Sequence, residues 1–423
     1  MRPTIAALLT AFALATAPAA PAPADPAPAF DELMRGLIET HGLPGGSLAV
    51  AYRGRLVYAK GFGVADPATG DPVTADTRFR IASVSKPITA IAALTLVDQR
   101  KLTLDSPVYP LLADATPPPP GREPVDSLNA ITLRHLLQHT GGQDLYREHD
   151  GDPRGRESVP MQPPLAPQIA AAYGTPGWPT PARVIGYMRT VEPDAAPGTR
   201  YRYNNYGFML AGEAIAAAAG QPYERYARQH VFAPAGVPDA RLGRTARRHR
   251  FSDEAVYTDL SNGDQPRPSV IPGEASDTFP YSRRHHEAWG GAGGWVARPR
   301  DVVRVLAHAL GHRKPHLLKR RTRRQLAADP GLPRQRANFY YGLGFRVQKK
   351  RDGAHLYHNG SSNVGAASLM VCTNDRVIWH ASFNATMASR TQLNAAFNRG
   401  MWDIVGDDPQ WPTKDLFGPN PSP

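Results

Sequence analysis

The chain has 423 residues, 41% hydrophobic and 20% charged, which excludes intrinsic disorder for its bulk and allows one large or two ordinary domains with a self-sufficient core. Its net charge of +12 suits an anionic partner such as nucleic acid, a membrane surface or a wall polymer, and says nothing about fold. Cys372 is the only cysteine, so an intrachain disulfide and a cysteine-based zinc site are excluded.

The elements follow in chain order. Met1-Arg2, the apolar stretch 5–17 and the small-x-small sites Ala17-Pro18-Ala19 and Ala22-Pro23-Ala24 make residues 1–24 read as a secretory signal peptide, with 25–29 as a Pro/Ala linker. The stretch is too short to span a bilayer, and no later run approaches ~20 apolar residues. No cysteine follows it, so a lipid anchor is not expected. A secreted or periplasmic protein without a transmembrane segment is expected, and for such a protein no nucleic-acid partner.

Phe30, Leu33, Met34, Leu37 and Ile38 have helical spacing and predict a helix over 30–41. Residues 47–52 and 55–63 predict an antiparallel hairpin about Arg53-Gly54. A buried helix is expected over 88–97, and Pro117 to Pro120 exclude helix or central strand there. Another helix is expected over 131–138. Residues 141–197 read as mostly loop with a short helix near 182–189. An Ala-rich helix over 208–219 is stopped by Gly220. Residues 241–280 read as loop, and 301–310 as helix. Strands are expected over 341–347, 356–358, 366–373 and 377–383, then a closing helix over 390–405 and a frayed Pro-rich tail, 409–423. Cys372, in an apolar run, reads as a buried small hydrophobe. With 43 prolines, about twice the usual ~5%, many rigid loops are expected. The order predicts an α/β (α+β) fold: an antiparallel sheet flanked by helices, formed from both chain ends, with an inserted mainly helical lobe. The expected domain is 30–408, with an α/β lobe of 30–82 and 285–408 and a helical lobe of 83–284.

Three motifs carry chemistry. In Phe79-Arg80-Ile81-Ala82-Ser83-Val84-Ser85-Lys86-Pro87, Ser83 and Lys86 stand three apart and share a helix face. Pro87 belongs in a first helical turn, so Ser83 sits at a helix start, where free N–H groups stabilise an oxyanion. Alone, this is equally a helix start with a capping serine. Tyr203 and Asn205 form Tyr-x-Asn. A phenol beside an ammonium can act as general base and then acid, and an asparagine can hold a lysine and a substrate amide. A polar loop with packing tyrosines is the alternative. His358-Asn359-Gly360-Ser361 ends a short strand; Gly360 leaves room for a substrate, and Ser361 offers a backbone N–H. A strand-end turn with a surface histidine is the alternative.

In this order the three motifs resemble the serine β-lactamase and penicillin-binding protein superfamily, and within it class C β-lactamases, D,D-peptidases, D-aminopeptidases and related esterases. Residues 60–66, Leu136-Leu137-Gln138-His139-Thr140-Gly141-Gly142, Pro197-Gly198-Thr199 and Ala292-Gly293-Gly294 extend the resemblance over nearly all of the expected mature chain. It implies Ser83 as acylated nucleophile, Lys86 as its activator, Tyr203 as proton shuttle, Asn205 as positioner, and an oxyanion hole from the N–H groups of Ser83 and Ser361. His358 and Gly360 fall where many β-lactamases have the Lys and Gly of Lys-Thr-Gly. A partly charged histidine predicts weaker carboxylate binding and favours a peptidase or esterase over a β-lactamase. No cofactor or metal is implied. The expected substrate is a small ester, an amide or a D-amino-acid peptide, with a β-lactamase or a non-catalytic wall-binding or sensor protein as alternatives. Residues 241–324 hold 18 Lys and Arg against 8 Asp and Glu, a net of +10, a bias toward anionic wall polymer or a solvated face.

Overall fold

The computed structural model describes residues 25–143, 165–175, 177–261, 263, 265–282, 285–333, 338–351, 353–362, 366–373, 376–386, 390–406 and 409–418. The segment read as a signal peptide, 1–24, lies outside them.

Two stretches of chain, far apart in sequence, build one sheet. The first supplies β1 (Gly45–Tyr52), β2 (Arg55–Asp66) and β3 (Asp71–Pro72). The second supplies β4 (Phe339–Tyr341), β5 (Arg346–Lys350), β6 (Gly353–Ser362), β7 (Ala366–Cys372) and β8 (Val377–Phe383). Their order is β3-β2-β1-β8-β7-β6-β5-β4, and every pairing is antiparallel. The β1–β8 seam, with Leu48 opposite Ala381 and Val50 opposite Trp379, joins the two stretches. Arg53 at φ 49° and Gly54 at φ 82° make the two-residue turn that matches strand twist. The expected sheet from both chain ends is therefore what forms, with mainly helical chain inserted between β3 and β4.

Side chains alternate across a strand, and β1 shows the consequence. Leu48 and Val50 pack with Trp379 and Phe383 beneath α1 (Ala27–His41) and α6 (Arg390–Gly406), through Phe30, Met34, Phe397 and Met401. Each such side chain contributes roughly 1.5–3 kcal/mol by leaving water. Ala49 and Ala51 point the other way, into a core shared with α2 (Ser85–Asp98), α3 (Leu133–Leu137), α4 (Asn205–Ala219) and α5 (Pro299–Ala309). Every residue of α2 from Ser85 to Leu96 is buried, so it is the central helix rather than an amphipathic cover. Cys372 is buried, and burial pushes its thiol pKa up. No helix among the described residues is long and apolar enough to cross a membrane.

Several expectations shift. α1 begins at Ala27, inside the segment read as linker, because a proline at the second helical position needs no N–H partner. The helix expected over 131–138 shortens to α3, capped by Thr132. Residues Leu165–Ala172, read as loop, are helical. The single strand expected over 341–347 is two strands, β4 and β5, because the chain turns at Gly344 (φ 77°) to pass the backbone of Lys86. The tail is not frayed over 409–418: Trp411 stacks on Tyr52 at 4.9 Å, the Leu416 N–H donates to the Leu56 carbonyl at 2.8 Å, and Asp415 pairs with Arg313 at 2.6 Å.

Candidate active site

Ser83 lies in the single 3-10 turn Ala82–Val84 that leads into α2. Ala82 adopts φ 47°, a conformation disfavoured for a residue with a Cβ. The segment before it is clamped. Arg80 is buried, donates to the Pro280 and Arg244 carbonyls at 2.7 Å each, lies 3.6 Å from Glu254, and stacks under Tyr257 at 4.6 Å. The Ile81 N–H donates to the Trp295 carbonyl at 3.1 Å. The loop 241–282 and the Trp295 strand thus hold the nucleophile's turn from behind.

Lys86, buried one turn along, donates to Ser83 Oγ at 2.9 Å, Asn205 Oδ1 at 2.6 Å and the Ala292 carbonyl at 2.7 Å. Three acceptors match the three N–H bonds of an ammonium. Tyr203 Oη donates to Ser83 Oγ at 2.9 Å, and its ring centroid is 4.9 Å from Lys86 Nζ. The loop alternative for Tyr-x-Asn is corrected in part: Asn205 is the first residue of α4, and Asn204 caps it by accepting the Gly207 N–H. Asn205 is buried at this helix start and accepts from Lys86 there.

β6 closes the other side. Gly360 lies against the nucleophile's turn: a Cβ there would stand 2.3 Å from the Ile81 carbonyl oxygen and 3.3 Å from Ala82 Cβ. Ser361 pairs with Ala367 in the β6–β7 ladder, so its backbone follows Gly360 along the strand edge facing Ser83. Gly360→Ala is therefore expected to push β6 from the Ser83 turn and lower kcat by roughly 10²–10³, the usual cost of losing an oxyanion donor. Steady-state kinetics beside a thermal melt checks this; unchanged kcat would show that the spacing is not needed.

His358 is not the surface histidine of the alternative. It is buried, and burial, Lys86 and Arg346 hold its pKa well below the usual value, so it is neutral near pH 7. Nδ1 faces the Asn359 carbonyl at 2.9 Å, and a carbonyl only accepts, so Nδ1 carries the proton. Nε2 then accepts from Tyr341 Oη at 2.8 Å, a hydroxyl that burial keeps protonated. The expected partial charge at His358 is thus removed by burial.

Three groups had no role in the sequence reading. Tyr341 lies in a run that the sequence marks only as strand. His139, buried at φ 56°, accepts the Asn204 N–H on Nδ1 at 3.0 Å and packs on Tyr203 at 4.3 Å and Tyr341 at 4.4 Å. Burial and the Lys86 ammonium keep it neutral. Its place in the Leu136–Gly142 signature was the one available signal. Arg346 stands 5.8 Å from the Tyr203 ring centroid, with a buried Nε that has no hydrogen-bond partner among the described residues. With Lys86 it is one of two cations set against the Tyr203 ring.

Residues 30–399 match the family model described as Beta-lactamase. The chain is 40% identical over 114 residues to Esterase EstB of Burkholderia gladioli, 27% of each chain. It is 29% identical over 198 residues to the D-alanyl-D-alanine-carboxypeptidase/endopeptidase AmpH of Escherichia coli K12, 47% of this chain and 45% of that one. The matches thus span less than half the length of these curated relatives. The fold superposes with a TM-score of 0.65 on the penicillin-binding protein homologue of Pyrococcus abyssi, at 21% identity over 91% of this chain and 78% of that one. It gives 0.65 with the D-amino acid amidase of Ochrobactrum anthropi SV3, at 21% identity over 90% and 97%. At such identities the likeness is one of fold.

Proposed function

The chain belongs to the β-lactamase family, and on that premise we propose that it is an exported serine hydrolase that forms an acyl-enzyme on Ser83 and hydrolyses a D-amino-acid peptide or a small ester. The observation that carries this is the convergence of Lys86 Nζ and Tyr203 Oη on Ser83 Oγ, each at 2.9 Å. Lys86 is held as an ammonium by its acceptors and stabilises the phenolate form of Tyr203. That phenolate takes the Ser83 proton as Oγ attacks the carbonyl carbon. The developing oxyanion lies toward the N–H groups of Ser83 and Ser361. Tyr203 returns the proton to the leaving group, and water, deprotonated by the same phenolate, then releases the acyl group.

A substrate carboxylate has Arg346 to meet, not His358, which is neutral and bonded to Tyr341. This favours a carboxylate-terminated peptide among the substrates and leaves a β-lactam, which also carries a carboxylate, as the second reading. The test compares a p-nitrophenyl ester, a D-Ala-D-Ala-terminated peptide and a chromogenic cephalosporin on the wild type and on Arg346→Met. Loss of a charge-assisted contact worth ~1.5–3 kcal/mol is expected to raise the peptide KM by about 10–100-fold while ester turnover changes little. Equal loss on both would mean that Arg346 acts through Tyr203, and ester turnover without peptide turnover would make the protein an esterase. The reading of segment 1–24 as a signal peptide supports a reaction outside the cytoplasm.

A further inference from the structure

α2 has the nucleophile at one end and a second cavity at the other. Twelve residues separate Lys86 from Asp98, about 18 Å of helix. The cavity there has a volume of about 730 Å³, within the ~300–1,000 Å³ of small-ligand sites. Leu94 and Leu102 contribute to an apolar floor, and Arg100, Arg134, Lys319 and Arg321 stand around it. Three separate stretches of sequence supply those four cations.

The two acids at the wall are both engaged. Asp105 pairs with Arg134 at 3.0 Å. Asp98 accepts the Lys319 N–H at 2.8 Å and is bonded to the Thr322 hydroxyl. Arg100 and Arg321 are exposed and have no carboxylate partner among the described residues. Some other cations of the basic stretch are paired with acids: Arg247 with Asp277, Arg248 with Glu274, and Arg298 with Asp239, Asp253 and Asp301. Four cations thus stand around this cavity against two acids. Arg100 adds a second observation. It follows α2 at φ 61°, a left-handed position where glycine or asparagine is the unstrained choice. The strained residue sets a guanidinium at the cavity wall.

We infer that this cavity binds a chain of sugar or polyol units bearing phosphate groups. Guanidinium forks match tetrahedral oxyanions with paired hydrogen bonds. The apolar floor suits the C–H faces of a polyol, and Thr103 and Gln325 at the wall offer hydrogen bonds to its hydroxyls. The volume exceeds what one phosphate fills. Bound there, the polymer tethers the protein without entering the serine site, so the inference does not depend on the proposed hydrolysis.

The test uses the full chain and a fluorescent glycerol-phosphate oligomer, followed by anisotropy at low and physiological salt, with inorganic polyphosphate, neutral dextran and phosphatidylglycerol vesicles as competitors. Saturable binding is expected, weakened by salt, and lowered at least about 10-fold in the Arg100→Gly/Arg321→Ala double variant. Arg100→Gly alone relaxes the backbone, so its Tm is expected to hold or rise, which separates lost charge from lost fold. Ester turnover is expected to be unchanged in both. Equal affinity in the double variant, or no binding at low salt, overturns the inference. Competition by vesicles alone overturns it in favour of a membrane surface, and competition by polyphosphate as strong as by unlabelled oligomer overturns the polyol part.

Discussion

Ser83→Ala is expected to lower turnover of every substrate by at least ~10⁴-fold and to abolish covalent labelling by a fluorophosphonate. The size follows from the role: without the oxygen no acyl-enzyme forms, and groups that act as one unit lose nearly everything when one is removed. The fold is expected to survive. The variant removes one hydroxyl from a site where Lys86 still donates to Asn205 and Ala292, and the apolar packing of α2 is untouched. Intact-protein mass after probe treatment and a thermal melt separate the outcomes. Undiminished turnover or a persistent adduct would place the nucleophile elsewhere and remove the basis for an acyl-enzyme on Ser83.

Tyr203→Phe is expected to lower kcat by roughly 10²–10⁴, the usual worth of a positioned general base, with a small change in KM. The substitution keeps the ring that packs on His139 at 4.3 Å and faces Lys86 at 4.9 Å, and removes only the hydroxyl 2.9 Å from Ser83 Oγ. The pH profile gives a second readout. If Tyr203 takes the proton, the rising limb of kcat/KM belongs to Tyr203 and its neighbours and is expected to flatten in the variant. A variant that keeps wild-type kcat with the same limb would assign the base role to Lys86 and leave Tyr203 as packing.

The site was legible where its chemistry is local. Ser83 and Lys86 are three apart on a helix start, so their meeting follows from helical pitch. Tyr203 and Asn205 are two apart at the entrance to α4, where Asn204 is a readable cap. Gly360 signals a close approach, although not to what; the partner is the Ile81 carbonyl. Tyr341 and Arg346 carried no signal, because tyrosine and arginine are ordinary at an antiparallel sheet edge. Their relevance comes from Gly344 turning the chain across Lys86, which separates β4 from β5 and aims both residues at the site. Arg80 was unreadable for a similar reason. A buried arginine is rare unless paired, and its partners, Glu254 and the carbonyls of Arg244 and Pro280, come from a loop whose course no periodicity describes.

By itself the sequence determined which segments are strands and helices over most of the chain, that the two ends share a sheet, and which three motifs meet around Ser83. Hydrophobic period and capping residues are local and survive folding unchanged. The tertiary structure alone decided the charge state of His358, the partners of Arg80 and Arg346, the docking of the tail on β1 and β2, and which cations gather around the cavity at the far end of α2. These depend on burial and on distances between residues up to hundreds of positions apart. Desolvation and Coulomb attraction are set by such distances, which spacing along a chain does not contain.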